Sequence, residues 1–204
     1  MDKKEIAKEL FEINAVKFGL FTLKSGLKSP VYIDLRILAS YPKTLKKIGK
    51  ILGEISKGLE FDLIAGIPYA AIPIATAVSL EFNWPMIYPR KEVKEYGTKK
   101  AIEGIYRKGQ KVLVIDDLIT TGGSKIEAIE PLKEAGLQVK DVCVLIDREQ
   151  GGKKELKEKG ISLHSVLTIT ELIDFLEEMK KISKKEAKSI RNYFAGPNEW
   201  QEGK

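Results

Sequence analysis

Residues 111–124 read KVLVIDDLITTGGS, and the fold turns on them. An apolar run, Val112 to Ile115, ends in two adjacent acids, Asp116 and Asp117. Leu118 and Ile119 follow, then a turn rich in hydroxyls and glycine, Thr120-Thr121-Gly122-Gly123-Ser124, and a stretch from Lys125 to Ile129 that can open a helix. In chemical terms this is a strand that stops, a loop of bare backbone, and a helix start facing the same point. The first N–H groups of a helix have no partner within it and carry partial positive charge, so a phosphate fits there. Glycine lets the main chain approach closely, and Thr and Ser hydroxyls add donors. The two carboxylates repel phosphate but suit hydroxyl groups, or waters on a divalent cation. A phosphate beside a diol describes a ribose 5-phosphate, which makes the loop a candidate phosphoribosyl site. The Gly-Gly pair alone would fit any strand–turn–helix joint. Neither the triphosphate loop ending in Lys-Ser/Thr nor the dinucleotide pattern G-x-G-x-x-G is present.

Working outward, strand and helix patterns alternate. Strands are predicted at 62–66, 85–88, 111–116, 139–147 and 161–166, and helices at 71–81, 123–136, 152–159, 170–181 and 184–194. Apolar strands interleaved with helices imply an α/β fold with a mostly parallel sheet covered on both faces. Ligands bind such sheets beyond the carboxyl ends of the strands, where the Asp-Asp loop falls. Before this region, Ile6, Leu10, Ile13 and Lys17 at helical spacing predict an amphipathic helix over 2–17. Short strands are expected at 21–23 and 31–33, around a Lys-Ser-Gly turn, and Leu45, Ile48, Leu52 and Ile55 predict a second helix.

The chain of 204 residues fits one domain with a substantial core. Its charged start, Met-Asp-Lys-Lys-Glu, has no apolar signal core. The uncharged stretch Ile64 to Leu80 is broken by Pro68 and Pro73 and falls short of a membrane span of ~20 residues. The single cysteine, Cys143, lies in an apolar run, so no disulfide framework can form within the chain. A cytoplasmic protein, with no membrane partner, is the expectation. The net charge of +6 suits a polyanion, but basic and acidic residues are interspersed, and nothing resembles a zinc finger or a stacking strip. Nucleic acid is therefore not the expected partner; a phosphorylated small molecule is.

Four other segments carry polar chemistry. Residues 89–104, PRKEVKEYGTKKAIEG, hold Arg90, Lys91, Lys94, Lys99 and Lys100 with almost no apolar anchor. They read either as a solvated charged helix or as a basic loop, with Gly97 and Gly104 as hinges, that closes over pyrophosphate. Residues 65–76, AGIPYAAIPIAT, read as a constrained turn or as a second pyrophosphate loop. FGLFTLKSGLKSPVYID places Lys24, Lys28 and Tyr32 near tight turns. VLIDREQGG sets Asp147 and Arg148 at a strand end, where the arginine either completes an ion pair or grips a carboxylate or carbonyl of a planar base. His164, the only histidine, has no triad around it, and Trp84 and Trp200 read as packing residues.

In order and spacing, FTLKSG with SPVYID, GIPY-x-x-IP, RKEVKEYGTKK-x-IEG, the Asp-Asp loop and LIDREQGG resemble the orotate phosphoribosyltransferases of the type I phosphoribosyltransferase family. The form LIDREQGGKKELKEKGISLHSV looks closest to the phosphoribosyltransferase domain of bifunctional uridine monophosphate synthases. The resemblance implies a type I phosphoribosyltransferase fold over 1–204, a single domain in which about residues 1–40 form a small N-terminal hood over the base site. It implies a reaction in pyrimidine biosynthesis: orotate and phosphoribosyl pyrophosphate give orotidine 5′-monophosphate and pyrophosphate. The cofactor would be Mg²⁺, held mainly by substrate and reached through water by Asp116 or Asp117.

By motif position, the phosphoribosyl pyrophosphate site would take Arg90, Lys91, Lys94 and Tyr96 from the basic run and Tyr69 and Ala70 from the second loop. It would also take Asp116, Asp117, Leu118, Ile119, Thr120, Thr121, Gly122, Gly123 and Ser124. Lys24, Tyr32, Ile33, Thr120 and Arg148 would surround orotate, and Lys94 and Asp117 are the catalytic candidates. Residues 90–104 would be shared across a homodimer. The chain ends soon after Phe194, so no decarboxylase domain is expected. Two positions depart from many bacterial relatives, Tyr96 in place of His and Ala70 in place of Lys; both fit the synthase-type subgroup. A phosphoribosyltransferase for a neutral base would have less use for two cations at the base, Lys24 and Arg148. A nucleic-acid-binding regulator on the same fold would need a continuous basic face.

Overall fold

The computed structural model describes residues 2–22, 26, 28–91 and 101–196. Helix α1 (Lys3–Glu12) begins where the Asp2 carboxylate accepts the N–H of Lys4 at 2.9 Å, and it buries Ile6, Ala7 and Leu10. It stops well short of the predicted residue 17. Asn14 takes the left-handed conformation, φ 59°, which Asn tolerates better than most residues, and the N–H of Ala15 returns to the carbonyl of Leu10 at 2.9 Å. The chain is thereby turned into strand β1 (Val16–Thr22), which pairs antiparallel with β2 (Lys28–Ile33) as a two-stranded sheet of its own.

A 3-10 turn at Leu35–Ser40 leads to α2 (Pro42–Ser56), where proline in the first turn gives up no helical hydrogen bond. The α/β part then follows: β3 (Leu63–Gly66), α3 (Ala71–Phe82), β4 (Met86–Pro89), β5 (Ile102–Glu103), β6 (Lys111–Ile119) and α4 (Gly123–Glu134). It is completed by β7 (Gln138–Asp147), α5 (Gly152–Glu158), β8 (Ser162–Thr168), α6 (Ile169–Glu178) and α7 (Lys184–Ala195). The main sheet has the order β5-β4-β3-β6-β7-β8. All its pairs are parallel except β4 with β5, a two-residue edge that the sequence pattern does not announce.

Strand β6 shows why the sheet is buried on both sides. Side chains alternate across a strand. Val112 and Val114 join the cluster containing Ile129, Leu132 and Leu156 of α4 and α5. Leu113 and Ile115 join the larger cluster with Ile6, Ile48, Leu52, Ile74, Leu172 and Ile190 from α1, α2, α3, α6 and α7. Cys143 is fully buried there, its sulfur 3.3 Å from the Ser56 hydroxyl. On α2 the buried face uses Ile51 where the predicted face has Ile55, which sits at the surface.

Ion pairs tie the first helices to the last. Lys3 reaches Glu171 at 2.9 Å, Lys4 reaches Glu178 at 2.6 Å, and Lys181 reaches Glu12 at 3.0 Å; Lys47 of α2 pairs with both Glu5 and Glu9. No described helix is long and apolar enough to cross a membrane.

Helices α2 and α3 approach closely at Gly49, where a Cβ would lie 2.8 Å from both the carbonyl carbon and the Cβ of Ala77. Gly49→Val should therefore overpack this contact, cost about 2–3 kcal/mol and lower the melting temperature by roughly 5–10 °C. A thermal melt matching the parent would refute the close-packing argument.

Candidate active site

The sheet reverses its direction of growth between β3 and β6. The chain runs from β3 outward to β4 on one side and from β6 outward to β7 and β8 on the other. The carboxyl ends of β3 and β6 thus border the crevice where open α/β sheets take ligands. Gly66 at the end of β3 pairs with Ile115, so β6 continues four residues past its neighbour, through both acids to Ile119. The predicted end at 116 is too early because β7 keeps pairing: Asp116 aligns with Val144, Leu118 with Ile146 and Ile119 with Asp147. The segment after β3, with a cis Pro68–Tyr69 peptide, leaves alongside, the N–H of Ile67 donating to the carbonyl of Ile115 at 3.2 Å. The loop after β7 is stitched to the loop after β6: Arg148 N–H donates to the carbonyl of Ile119 at 3.0 Å, and Gly152 N–H to that of Thr120 at 2.9 Å.

The two acids occupy different environments. Asp116 is only 2% exposed; one carboxylate oxygen accepts the N–H of Asp117 at 2.8 Å, and the Lys125 ammonium pairs with the other. Burial raises the Asp116 carboxyl well above the ordinary aspartate range, Lys125 opposes that shift, and Asp117 adds to it. Asp117 is half-buried and accepts the N–H of Leu118 at 2.8 Å. Of the pair, Asp117 is the one placed to meet a ligand.

Gly122 starts α4 with φ 95°, a conformation that favours glycine, and a Cβ on it would press on the Cβ of Glu155 at 3.2 Å. No side chain caps α4, and Thr121, Gly123 and Ser124 are exposed, with Thr120 half-buried. This is an open helix N-terminus of the kind that binds anions.

Beside it lies a cleft of about 430 Å³ between α4 and the end of β4, lined among others by Pro68, Arg90, Lys91, Ser124 and Lys125. Arg90 is anchored at both levels: its N–H donates to the carbonyl of Ala101 at 2.7 Å, and its guanidinium pairs with Glu103 on β5. The Lys91 ammonium sits 5.4 Å from the ring centroid of Tyr69, a residue that is 64% exposed. Ala70 stands directly before α3. Lys94 and Tyr96, with the rest of 92–100, lie outside the described residues, as does Lys24.

On the other side of the β6 end, Tyr32 and Ile33 are half-buried on β2, and the Tyr32 hydroxyl accepts from Arg36 at 3.2 Å. Helix α7 packs on β2. The guanidinium of Arg148 sits 5.6 Å from the ring centroid of Phe194. Its Nε and Nη2 are buried and have no hydrogen-bond partner among the described residues. Burial depresses the Arg148 pKa from its ordinary value. An arginine nonetheless stays charged, and a buried charge lacking a partner is costly. Of the two sequence readings of Arg148, a structural ion pair does not appear among the described residues.

Three residues of this region escape the sequence reading: Lys125, Glu103 and Phe194. Lys125 pairs with an acid nine positions earlier and Glu103 with an arginine thirteen earlier, spacings that carry no periodic signal. His164, given no catalytic role, pairs with Asp141 at 2.8 Å, and Asp141 lies toward the opposite end of β7 from Arg148.

The phosphoribosyl transferase domain, as a family profile, matches residues 36–182. The chain is 44% identical over 186 residues to uridine 5′-monophosphate synthase of Bos taurus, covering 90% of this chain and 39% of that protein. It is 41% identical over 174 residues to the orotate phosphoribosyltransferase of Pyrococcus abyssi, covering 84% of this chain and 96% of that protein. Among solved structures, UMP synthase of Leishmania donovani superposes with a TM-score of 0.88 at 42% identity, over 96% of this chain and 42% of that one. The chain thus spans about two fifths of the synthases it matches and nearly all of the shorter transferase.

The Asp116–Lys125 pair gives a signed expectation. A carboxyl whose folded-state pKa is raised favours folding below the unfolded aspartate value, near 3.8, and that contribution is lost as pH rises through the folded pKa. Lys125→Met removes the charge that opposes the shift, so its stability deficit should grow from pH 5 to pH 8, toward about 3–5 kcal/mol. Melts across that range test it; a deficit independent of pH would show that Asp116 does not depend on Lys125.

Proposed function

The chain belongs to the phosphoribosyltransferase family, alongside the orotate phosphoribosyltransferases, and we propose that it makes orotidine 5′-monophosphate and pyrophosphate from orotate and phosphoribosyl pyrophosphate. The observation that carries the choice of acceptor is Arg148, a buried guanidinium with two donors that find no protein acceptor among the described residues. A planar base bearing a carboxylate completes those bonds, whereas a neutral purine leaves the charge uncompensated.

Each part of the site then has a task. The open start of α4, with Thr120 to Ser124, holds the 5′-phosphate through backbone N–H groups and hydroxyls. Asp117 accepts from the ribose hydroxyls, while Asp116, paired with Lys125, fixes the strand end that presents it. Leu118 and Ile119 set the backbone between. Tyr69 and Ala70, with Arg90 and Lys91, border the pyrophosphate. Tyr32 and Ile33 border the base, joined by Lys24 from the segment before β2. The reaction breaks the bond from the anomeric carbon to pyrophosphate and forms one to the orotate ring nitrogen from the opposite face. Positive charge develops on the ribose and negative charge on the leaving group, so electrostatic stabilisation of pyrophosphate is the main requirement.

Among the described residues no cluster of three His, Cys, Asp or Glu side chains could cage a metal. Asp117, half-buried at the strand end, is the residue that would reach Mg²⁺ through water, and a Mg²⁺ held mainly by substrate would neutralise leaving-group charge. We also read the protein as a single cytoplasmic domain with residues 1–40 over the base. It would act as a homodimer whose 90–104 run serves the neighbouring copy, as the family resemblance implies.

With Mg²⁺ and phosphoribosyl pyrophosphate, the purified protein should consume orotate, followed by its absorbance, and leave uracil, hypoxanthine and adenine untouched. Turnover of another base instead would overturn the reading of Arg148. Lys94→Ala should lower turnover by ~10²–10³, the scale for one preorganised charge at a developing anion. Turnover within about threefold of the parent would remove Lys94 from the mechanism.

A further inference from the structure

Among the described residues no carboxylate pairs with the guanidinium of Arg148. Its main chain is fixed by the N–H bond to Ile119 at 3.0 Å, and its head meets α7, with the ring of Phe194 5.6 Å from the guanidinium carbon and Tyr193 close enough to interact electrostatically. An arginine side chain has about 2 kcal/mol of rotamer freedom to lose, and a ring face removes part of it without occupying the in-plane N–H donors. A carboxylate in the same position would hold the side chain equally well but would consume the donors and cancel the charge.

Phe194 is partly buried and packs against the larger core cluster. Its ring stands edge-on to Tyr193, centroids 5.1 Å apart at 84°, and Tyr193 is buried. Helix α7, which carries both, opens with a capping box between Ser183 and Glu186, and Arg191 ties it to Asp174 and Glu177 of α6. It rests on β2, the strand of Tyr32 and Ile33. Helix α7 therefore joins two strand ends that are 115 residues apart in sequence, Ile33 and Arg148.

We propose that Phe194 is a positioning residue of the base site: its ring face presents the Arg148 guanidinium, donors free, to the carboxylate of the acceptor. This rests on the orotate reading given above. Because the ring acts only through Arg148, its loss should weaken orotate binding and leave the phosphoribosyl half and the chemical step intact.

The test uses the full chain and three variants, Phe194→Leu, Phe194→Met and Phe194→Tyr, with KM for each substrate, kcat and the melting temperature determined for all. Phe194→Leu and Phe194→Met should raise the KM for orotate roughly tenfold, the scale of one desolvated cation–ring contact. Their kcat and KM for phosphoribosyl pyrophosphate should stay within about twofold, and Phe194→Tyr, which keeps the ring, should restore the orotate KM. An unchanged orotate KM in both ring-free variants would overturn the proposal. So would a parallel loss in both KM values and kcat, the mark of a merely structural role, or a Phe194→Tyr variant as impaired as the others. If Phe194→Leu does not fold, Phe194→Met and Phe194→Tyr decide alone. A parent that consumes no orotate would instead sink the functional reading, and the proposal with it.

Discussion

The four residues by which β6 outruns β3 are the constraint on which the site depends. A strand end normally dissolves into loop once its neighbours stop, but here β7 continues to pair as far as Ile119 with Asp147. The acids are therefore held in a pleated ladder, with alternate side chains sent to opposite faces. Asp116 goes inward and must find a counter-charge, which Lys125 supplies from the first turn of α4. Asp117 goes the other way. The same extension brings Thr120 and Gly122 against the loop that begins α5, and Gly152 donates back to Thr120. Loop, helix start and acid pair are set by one continuous ladder.

The described cations around the crevice are held in two ways, and the difference matters for an anionic ligand. Arg90 and Lys125 face the carboxylates of Glu103 and Asp116, so each contributes little net field and mainly fixes geometry. Lys91 and Arg148 sit near aromatic rings, Tyr69 and Phe194, and have no carboxylate partner among the described residues. The described cations without a carboxylate partner thus stand at two places, one on each side of the β6 end. A substrate with a highly charged pyrophosphate at one end and a planar acid to be joined at the other would find attraction at both, with a nearly neutral floor between them.

The alternation of apolar strands and helices made the sheet legible, and the order of elements from β3 to α7 follows the pattern closely. The N-terminal helix was misjudged because Ile13 and Lys17 keep a helical spacing across Asn14, and spacing alone does not report a backbone that turns left-handed. Strand β5 was invisible because two residues, Ile102 and Glu103, carry no period. Local chemistry exposed the loop of Thr120 to Ser124 and singled out Arg148. The partners of these groups were not exposed, since Lys125, Glu103 and Phe194 are brought in by tertiary packing. A single sequence records which groups are unusual far better than it records what neutralises them.

The clasp between α1 and residues 171–181 has a bearing on how the molecule is made. Lys3 and Lys4 grip Glu171 and Glu178, and Glu12 is gripped by Lys181, so each of these contacts spans more than 160 positions. Chains emerge from the ribosome N-terminus first, and contacts between distant segments must wait for both to exist. Helix α1 is accordingly made well before the partners it docks on. The units β3-α3-β4 and β6-α4-β7, which border the open start of α4, need only neighbouring sequence. The Arg148 side of the crevice needs the β1–β2 hairpin, Arg148 and α7, so it is completed only after α7 has been translated.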